Sequence, residues 1–240
     1  MTNIASIDIG SHTARMLIGR TTGDSRLFTP IFRKRVYIRL AENFYDQEKE
    51  TIKQGPIERT LSALVSFAYL KREYNVKDIG AVSTGITRKA INKDYLLDLI
   101  YEHSGIEVKV ISGEEEARLT CRGVLHSLDI QGQPYIIFDL GGGSTEFIFG
   151  EITDTHVRSL PLGAMILTQR FFTLDPPDRR SIENLERDVD GTLKKAFFEK
   201  ARVGENHLLI GTGGTVTTLS AMIHNMDVKE ISPGKMDGLN

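Results

Sequence analysis

Cysteine is nearly absent: Cys121 is the single one in 240 residues. One thiol excludes an internal disulfide and any metal site built on cysteine, and it suits a reducing compartment. An excess of one charge is also missing. Thirty Lys and Arg stand against 32 Asp and Glu, a net charge of −2, so there is no general nucleic-acid footprint and attraction for a polyanion has to come from a local basic patch. No apolar run approaches the length of a membrane span, and no basic-plus-apolar leader precedes Ile4. No membrane association and a cytoplasmic location are expected. A hydrophobic share of 40% and a charged share of 26% are ordinary for a globular chain, and the length allows one or two domains.

The most informative stretch runs from Ile136 to Phe149: an apolar arm, Asp139, Leu140, the triplet Gly141-Gly142-Gly143, Ser144 and Thr145, and a second apolar arm from Glu146. Both arms are rich in β-branched and aromatic residues, which predicts a strand, a tight turn and an antiparallel return strand. Three glycines permit positive φ and let backbone N–H groups close on a bound group with no Cβ in the way, which suits a phosphate. Asp139 is then aimed into the same opening. A carboxylate beside phosphates calls for a divalent cation between them, so the stretch predicts phosphate plus magnesium. An ordinary hairpin with Asp as a turn former is the plainer alternative.

That stretch has a partner near the N-terminus. Superposing Asp8 on Asp139 brings Gly10 onto Gly141, Thr13 onto Ser144 and Gly19 onto Gly150, each turn lying between apolar arms. The separation suits a duplicated domain. A third turn, Gly211-Thr212-Gly213-Gly214-Thr215, follows an apolar run and opens a helix from Val216, a second recipe for holding an anion. Two hairpins and one helix-opening loop predict a cleft that holds a phosphate chain.

Together, Asp8-x-Gly10-Ser11, Ser112-Gly113-Glu114-Glu115-Glu116-Ala117-Arg118, Asp139 to Glu146 and Gly211 to Thr215 resemble the exopolyphosphatase / guanosine pentaphosphate phosphatase family of the actin-like ATPase superfamily. The resemblance implies an α/β fold of two ribonuclease H-like lobes around a phosphate-binding cleft, over residues 1–128 and 129–240. It further implies Mg²⁺-dependent hydrolysis of terminal phosphoanhydride bonds and a homodimer in the complete protein. In the family, further helices and a strand follow the segment around Lys235-Met236-Asp237-Gly238, so the C-terminal part of the second lobe is expected to be missing from this chain. The resemblance identifies Glu116 as catalytic base and places a phosphate-binding Thr-x-x-x-Arg loop at Thr84 to Arg88. The sequence departs from the family at His12, where Asn is usual, at Gly85-Ile86, where small Ser or Ala residues are usual, and at Lys89, where an acid is common. An imidazole titrates near neutrality, which predicts a pH dependence of activity at His12.

The remaining chain supplies the frame. Residues 26–40 predict a third strand with a solvated basic turn at Arg33-Lys34-Arg35, and residues 56–75 an amphipathic helix with Ile57, Leu61, Leu64, Val65 and Ala68 on one face. Strands are expected over 78–84, 107–111 and 156–162. A helical stripe of Ala117, Cys121, Val124, Leu125 and Leu128 puts Glu114 to Glu116 in a first turn, off the buried face, with Cys121 a core residue. Leu160-Pro161-Leu162-Gly163-Ala164 resembles another family segment. Helices end at Phe171-Phe172 and run over 181–202, on either side of Asp175-Pro176-Pro177-Asp178.

The mechanism this implies is in-line attack of water on a terminal phosphate. Asp139, with Asp8 through water, holds magnesium. Gly141, Gly142, Gly143, Ser144 and Thr145 donate to one phosphate, Ser11, His12 and Thr13 to another, and Thr84 with Gly211, Thr212, Gly213 and Gly214 complete the phosphate sites. Arg88 neutralises the transferred group as a bidentate guanidinium, and Glu116 takes the water's proton. Inorganic polyphosphate is favoured over guanosine pentaphosphate, because Arg33, Lys34, Arg35, Arg88, Lys89 and Lys93 suit a long polyanion and no run announces an apolar slot for guanine. A kinase of the same superfamily and a non-catalytic nucleotide or polyphosphate sensor are the rival classes.

Overall fold

The computed structural model describes residues 1–21, 28–44, 50–130, 132–150, 155–197 and 206–226. Arg26, the end of the helix expected over 181–202 and the segment around Lys235 lie outside the described residues. Contacts divide the chain into two units, Met1–Ser112 and Gly113–Asn240.

In the first unit, β1 (Thr2–Ile9), β2 (Thr13–Thr21) and β3 (Phe28–Tyr37) form an antiparallel meander, and β4 (Asp78–Ser83) and β5 (Lys109–Val110) add in parallel. The sheet order is β3-β2-β1-β4-β5. Alternation along β1 and β2 buries Ala5, Ile7, Ile9, Ala14, Met16 and Ile18 on one face. Helix α1 (Gln54–Glu73) packs there with α2 (Lys93–Ser104), which stops at Gly105 in the left-handed region. The buried stripe of α1 is Ile57, Thr60, Ala63, Leu64, Phe67 and Leu70. It is rotated from the expected one, leaving Val65 exposed, because Phe67 takes the inward position with more apolar area to bury. The basic run Arg33-Lys34-Arg35 is not a turn but the middle of β3, where backbone pairing with Leu17, Met16 and Arg15 outweighs the charge of the side chains.

The second unit repeats the plan. β6 (Tyr135–Leu140), β7 (Thr145–Gly150) and β8 (Thr155–Leu160) form a meander, and β9 (Leu208–Thr212) lies parallel to β6, in the order β8-β7-β6-β9. The helices are α3 (Gly113–Ser127), α4 (Ala164–Phe171), α5 (Arg179–Phe197) and α6 (Gly214–Ile223). The division by contacts falls after Ser112 rather than after residue 128, because α3 packs on β6, β7 and β8. Ala117 and Cys121 of α3 join Tyr135, Ile137 and Ile148 in a core, whereas Leu125, expected in the stripe, is exposed. Cys121 is buried as a core residue, 3.5 Å from the Tyr135 hydroxyl. Helix α5 buries no side chain among the described residues despite its amphipathic pattern. Among the described residues no helix is long and apolar enough to cross a membrane.

The two turns superpose in detail. Gly10 N–H donates to the Thr13 carbonyl at 2.9 Å and Gly141 N–H to the Ser144 carbonyl at 3.0 Å. Asp8 lies opposite Arg15 as Asp139 lies opposite Glu146, so the pairing of Asp8 with Asp139 read from sequence is also a pairing of register.

Candidate functional site

Each unit builds a glycine-bearing turn between two antiparallel strands, and the second unit places acids beside its turn. Asp139, last but one in β6, faces Glu146 across the ladder, and directly opposite residues share a sheet face. Glu146 is 1% exposed. Its carboxyl accepts a hydrogen bond from Ser159 Oγ at 2.7 Å and is pushed up to about 7 by burial first, then by the nearby charges of Glu116 and Asp139. Of the three acids opening α3, Glu116 is half-buried and close enough to act on Glu146, whereas Glu114 is exposed beside Arg118. The sequence named Glu116 and Asp139 but passed over Glu146 as a strand residue. Its signal was an acid at an inward position of an otherwise apolar strand.

The raised Glu146 carboxyl gives a pH prediction. Its folded value lies above its ordinary value of 4.5, so its stabilising contribution is complete below pH 4.5 and is lost as the pH rises towards 7, where the buried group must ionise. In the absence of divalent cations, urea midpoints are expected to fall across that window, by the equivalent of roughly 2–3 kcal/mol in unfolding free energy. In Glu146→Gln that fall disappears. A wild-type midpoint that rises over the same window contradicts the assignment.

The glycine turn works differently from the sequence expectation. Among the described glycines, Gly141, Gly142 and Gly143 do not adopt positive φ. Closeness here is set by Gly163, on which a Cβ would run into the backbone of Gly142 and Gly143. Ala164 N–H donates to the Gly141 carbonyl at 2.9 Å, and Met165 and Ile166 N–H donate to the Gly142 carbonyl at 3.1 and 3.3 Å. The start of α4 thus holds the turn's carbonyls, and trans peptide geometry sends the amides of Gly142 and Gly143 the opposite way. The first unit uses the same device: Ile38 and Arg39 N–H donate to the His12 carbonyl and Ala41 N–H to the Ser11 carbonyl, all at 3.0 Å. Thr145 is buried and its hydroxyl donates to the Leu162 carbonyl at 2.6 Å, which fixes the turn from behind, while Ser144 remains half-buried at its rim.

The third loop divides its labour. Gly211 lies on Phe138 and Val216, a packing position. Thr212 lies opposite Asp139, and its buried Oγ1 lacks a hydrogen-bond partner. Gly213, at φ +96°, brings its Cα against an Asp139 carboxylate oxygen and the Leu140 carbonyl, a conformation and a closeness that only glycine accepts. Gly214 is exposed and opens α6.

In the first unit the Thr84 loop is tied to the turn. Ser11 is buried and its Oγ accepts from Ile86 N–H at 3.1 Å, and Ser83 Oγ donates to the Ile9 carbonyl at 3.1 Å. Gly85 sits at φ +58° with Ser11 Oγ in the place of a Cβ, and Ile86 is 1% exposed, which accounts for the glycine and the isoleucine at these two positions. Arg88 ends a 3-10 turn, half-buried, its guanidinium donating to the Ile111 carbonyl at 3.3 Å. His12 packs edge-on against Tyr37 with centroids 5.3 Å apart. Burial and then the Arg39 charge lower its pKa, so the imidazole is neutral at neutral pH and the expected titration there moves to lower pH.

The donor set fits a hydrated divalent cation. The charges of Glu116 and Asp139 both act on the buried Glu146, and Thr212, with its orphaned hydroxyl, is the strand neighbour of Asp139. Among the described residues no group of three or more such side chains could by itself enclose a metal ion. Mg²⁺ does not need one, since it commonly keeps several waters and uses one or two carboxylates.

The sequence model of the Ppx/GppA phosphatase family matches residues 17–239. The chain is 32% identical over 233 residues to the bifunctional 3-dehydroquinate synthase/phosphatase of Fusobacterium nucleatum, covering 93% of this chain and 34% of that protein. It is 31% identical over 242 residues to exopolyphosphatase 2 of Mycobacterium tuberculosis, covering 94% of this chain and 72% of that protein. The crystal structure of the Aquifex aeolicus member of the Ppx/GppA family superposes with a TM-score of 0.75 at 31% identity, covering 98% of this chain and 72% of that one.

Proposed function

The chain belongs to the Ppx/GppA phosphatase family, and from that premise we propose that it hydrolyses the terminal phosphoanhydride bond of inorganic polyphosphate in a magnesium-dependent reaction. The observation that carries the reading is the buried Glu146 beside Glu116 and Asp139, next to a turn whose Gly142 and Gly143 amides point away from the start of α4. Acids gathered beside a turn suited to an anion would favour a cation that offsets the charge of both. Magnesium, when bound, neutralises phosphate oxygens. Asp139 and Glu146 are the residues to hold it, and Asp8 stands at the matching position of the first unit, equally suited to a hydrated ion. The amides of Gly142 and Gly143, with Ser144, bind the terminal phosphate. Water attacks its phosphorus and the bond to the bridging oxygen breaks. Glu116 takes the proton of that water, and the shortened chain leaves as an anion. Arg88, with Ser11 to Thr13, supplies anion binding in the first unit.

The test measures kcat/KM for polyphosphate and for guanosine pentaphosphate at low and raised ionic strength, with and without a chelator. Expected is magnesium-dependent release of orthophosphate, faster from polyphosphate and steeply reduced by salt, because a chain held by many charges releases many counterions. Faster, salt-insensitive hydrolysis of guanosine pentaphosphate reverses the substrate.

A further inference from the structure

The face of the first unit's sheet that turns away from α1 carries a row of cations. The registers set Arg35 opposite Arg15, Arg15 opposite Asp8, Asp8 beside Val82, and Val82 beside Lys109, so these side chains share that face. One step farther from the Ser11–Thr13 turn stand Arg33, Leu17, Ser6 and Gly80, and one step nearer stand Tyr37 and Thr13. Arg15, Arg33, Arg35, Ser6 and Gly80 are exposed, as is Tyr37. The second unit uses the matching face otherwise. There Ile137, Ile148 and Ile210 are apolar and α3 covers them, whereas the first unit has Ser6, Leu17 and Gly80 in their places and Arg15 in the place of Glu146.

Like charges directly opposite each other in a sheet are destabilising. Arg15 and Arg35 occupy such a pair. Among the described residues neither Arg15 nor Arg33 has a carboxylate or a hydrogen-bond partner, and Arg35 lies over the Tyr37 ring, 5.5 Å from its centroid. A merely solvated face intersperses both signs. In these rows the acid is Asp8, already suited to a metal ion. Arginine adds a planar fork that matches phosphate oxygens in pairs. The row also begins beside the anion-binding turn, since Thr13 is paired with Tyr37.

We propose that this face is a second binding surface for the polyphosphate chain, on which Arg15, Arg33 and Arg35 hold phosphoryl groups remote from the bond being hydrolysed. The inference rests on the polyphosphate reading above. Neighbouring strands lie about 4.8 Å apart, and alternate residues of one strand about 6.6 Å apart, so a long flexible polyanion can touch all three guanidinium groups at once.

The experiment compares wild type with the double variant Arg33→Gln/Arg35→Gln, using long-chain polyphosphate and tripolyphosphate as probes over a range of salt concentrations. Both side chains are exposed, so an unchanged thermal midpoint is expected and is checked first. Long-chain affinity is expected to fall about tenfold, with the slope of log K against log salt shallower by roughly 1.4, about 0.7 for each charge removed. Binding and hydrolysis of tripolyphosphate are expected to be unchanged. An unchanged affinity for the long chain, or an equal loss for both lengths, overturns the second surface. Failure of the wild type to hydrolyse either probe overturns the polyphosphate reading instead.

Discussion

Glu116→Gln is expected to lower orthophosphate release about 10²- to 10⁴-fold while substrate binding stays nearly intact. Gln keeps the size and an acceptor oxygen but cannot take a proton from water at a useful pKa. The structure adds a reason for the choice among three neighbouring acids: Glu116 is the one whose charge acts on the buried Glu146, whereas Glu114 is exposed near Arg118. Glu114→Gln should therefore be nearly silent. Single-turnover rates and binding isotherms for the two variants check the pair of statements, and near-normal turnover in Glu116→Gln removes it from the chemistry.

Gly163→Ala is expected to lower kcat/KM about 100-fold, the scale set by displacing bound groups by about 1 Å. At φ −84° and ψ 140° the backbone of Gly163 suits alanine, so strain is not the cause. The added methyl group meets the backbone of Gly142 and Gly143 and pushes the turn off the N–H groups of Ala164, Met165 and Ile166. With the turn as the proposed phosphate site, KM and kcat should both change while the circular dichroism spectrum does not. Gly191→Ala, where a methyl group has open space, is the control. Unaltered kinetics in Gly163→Ala would show that α4 does not position the turn.

Much of this arrangement was legible in the sequence for local reasons. Apolar arms around Asp-x-Gly fix two hairpins, and their superposition carries over to the hydrogen bonds of Gly10 and Gly141. Glu146 was not legible, because the groups that act on it are remote in sequence: Ser159 on β8 and Glu116 on α3. The glycine triplet suggests positive φ, yet the residue in these loops that needs φ above zero beside the acids is Gly213, and the close approach to the triplet is made by Gly163. Arg33-Lys34-Arg35 read as a turn by its charge alone, which says nothing of the β2 backbone waiting to pair with it. The anchoring of Ser11 to Ile86 joins residues on two loops of one sheet, a contact no local pattern encodes.

The most direct measurement of the central claim is the fate of the terminal phosphoryl group of polyphosphate in ¹⁸O-labelled water containing magnesium. The account predicts orthophosphate carrying one oxygen from water, with none formed by Glu116→Gln on the same timescale. Orthophosphate without label, transfer of the group to a sugar or acetate, or tight binding with no release in the wild type would contradict it.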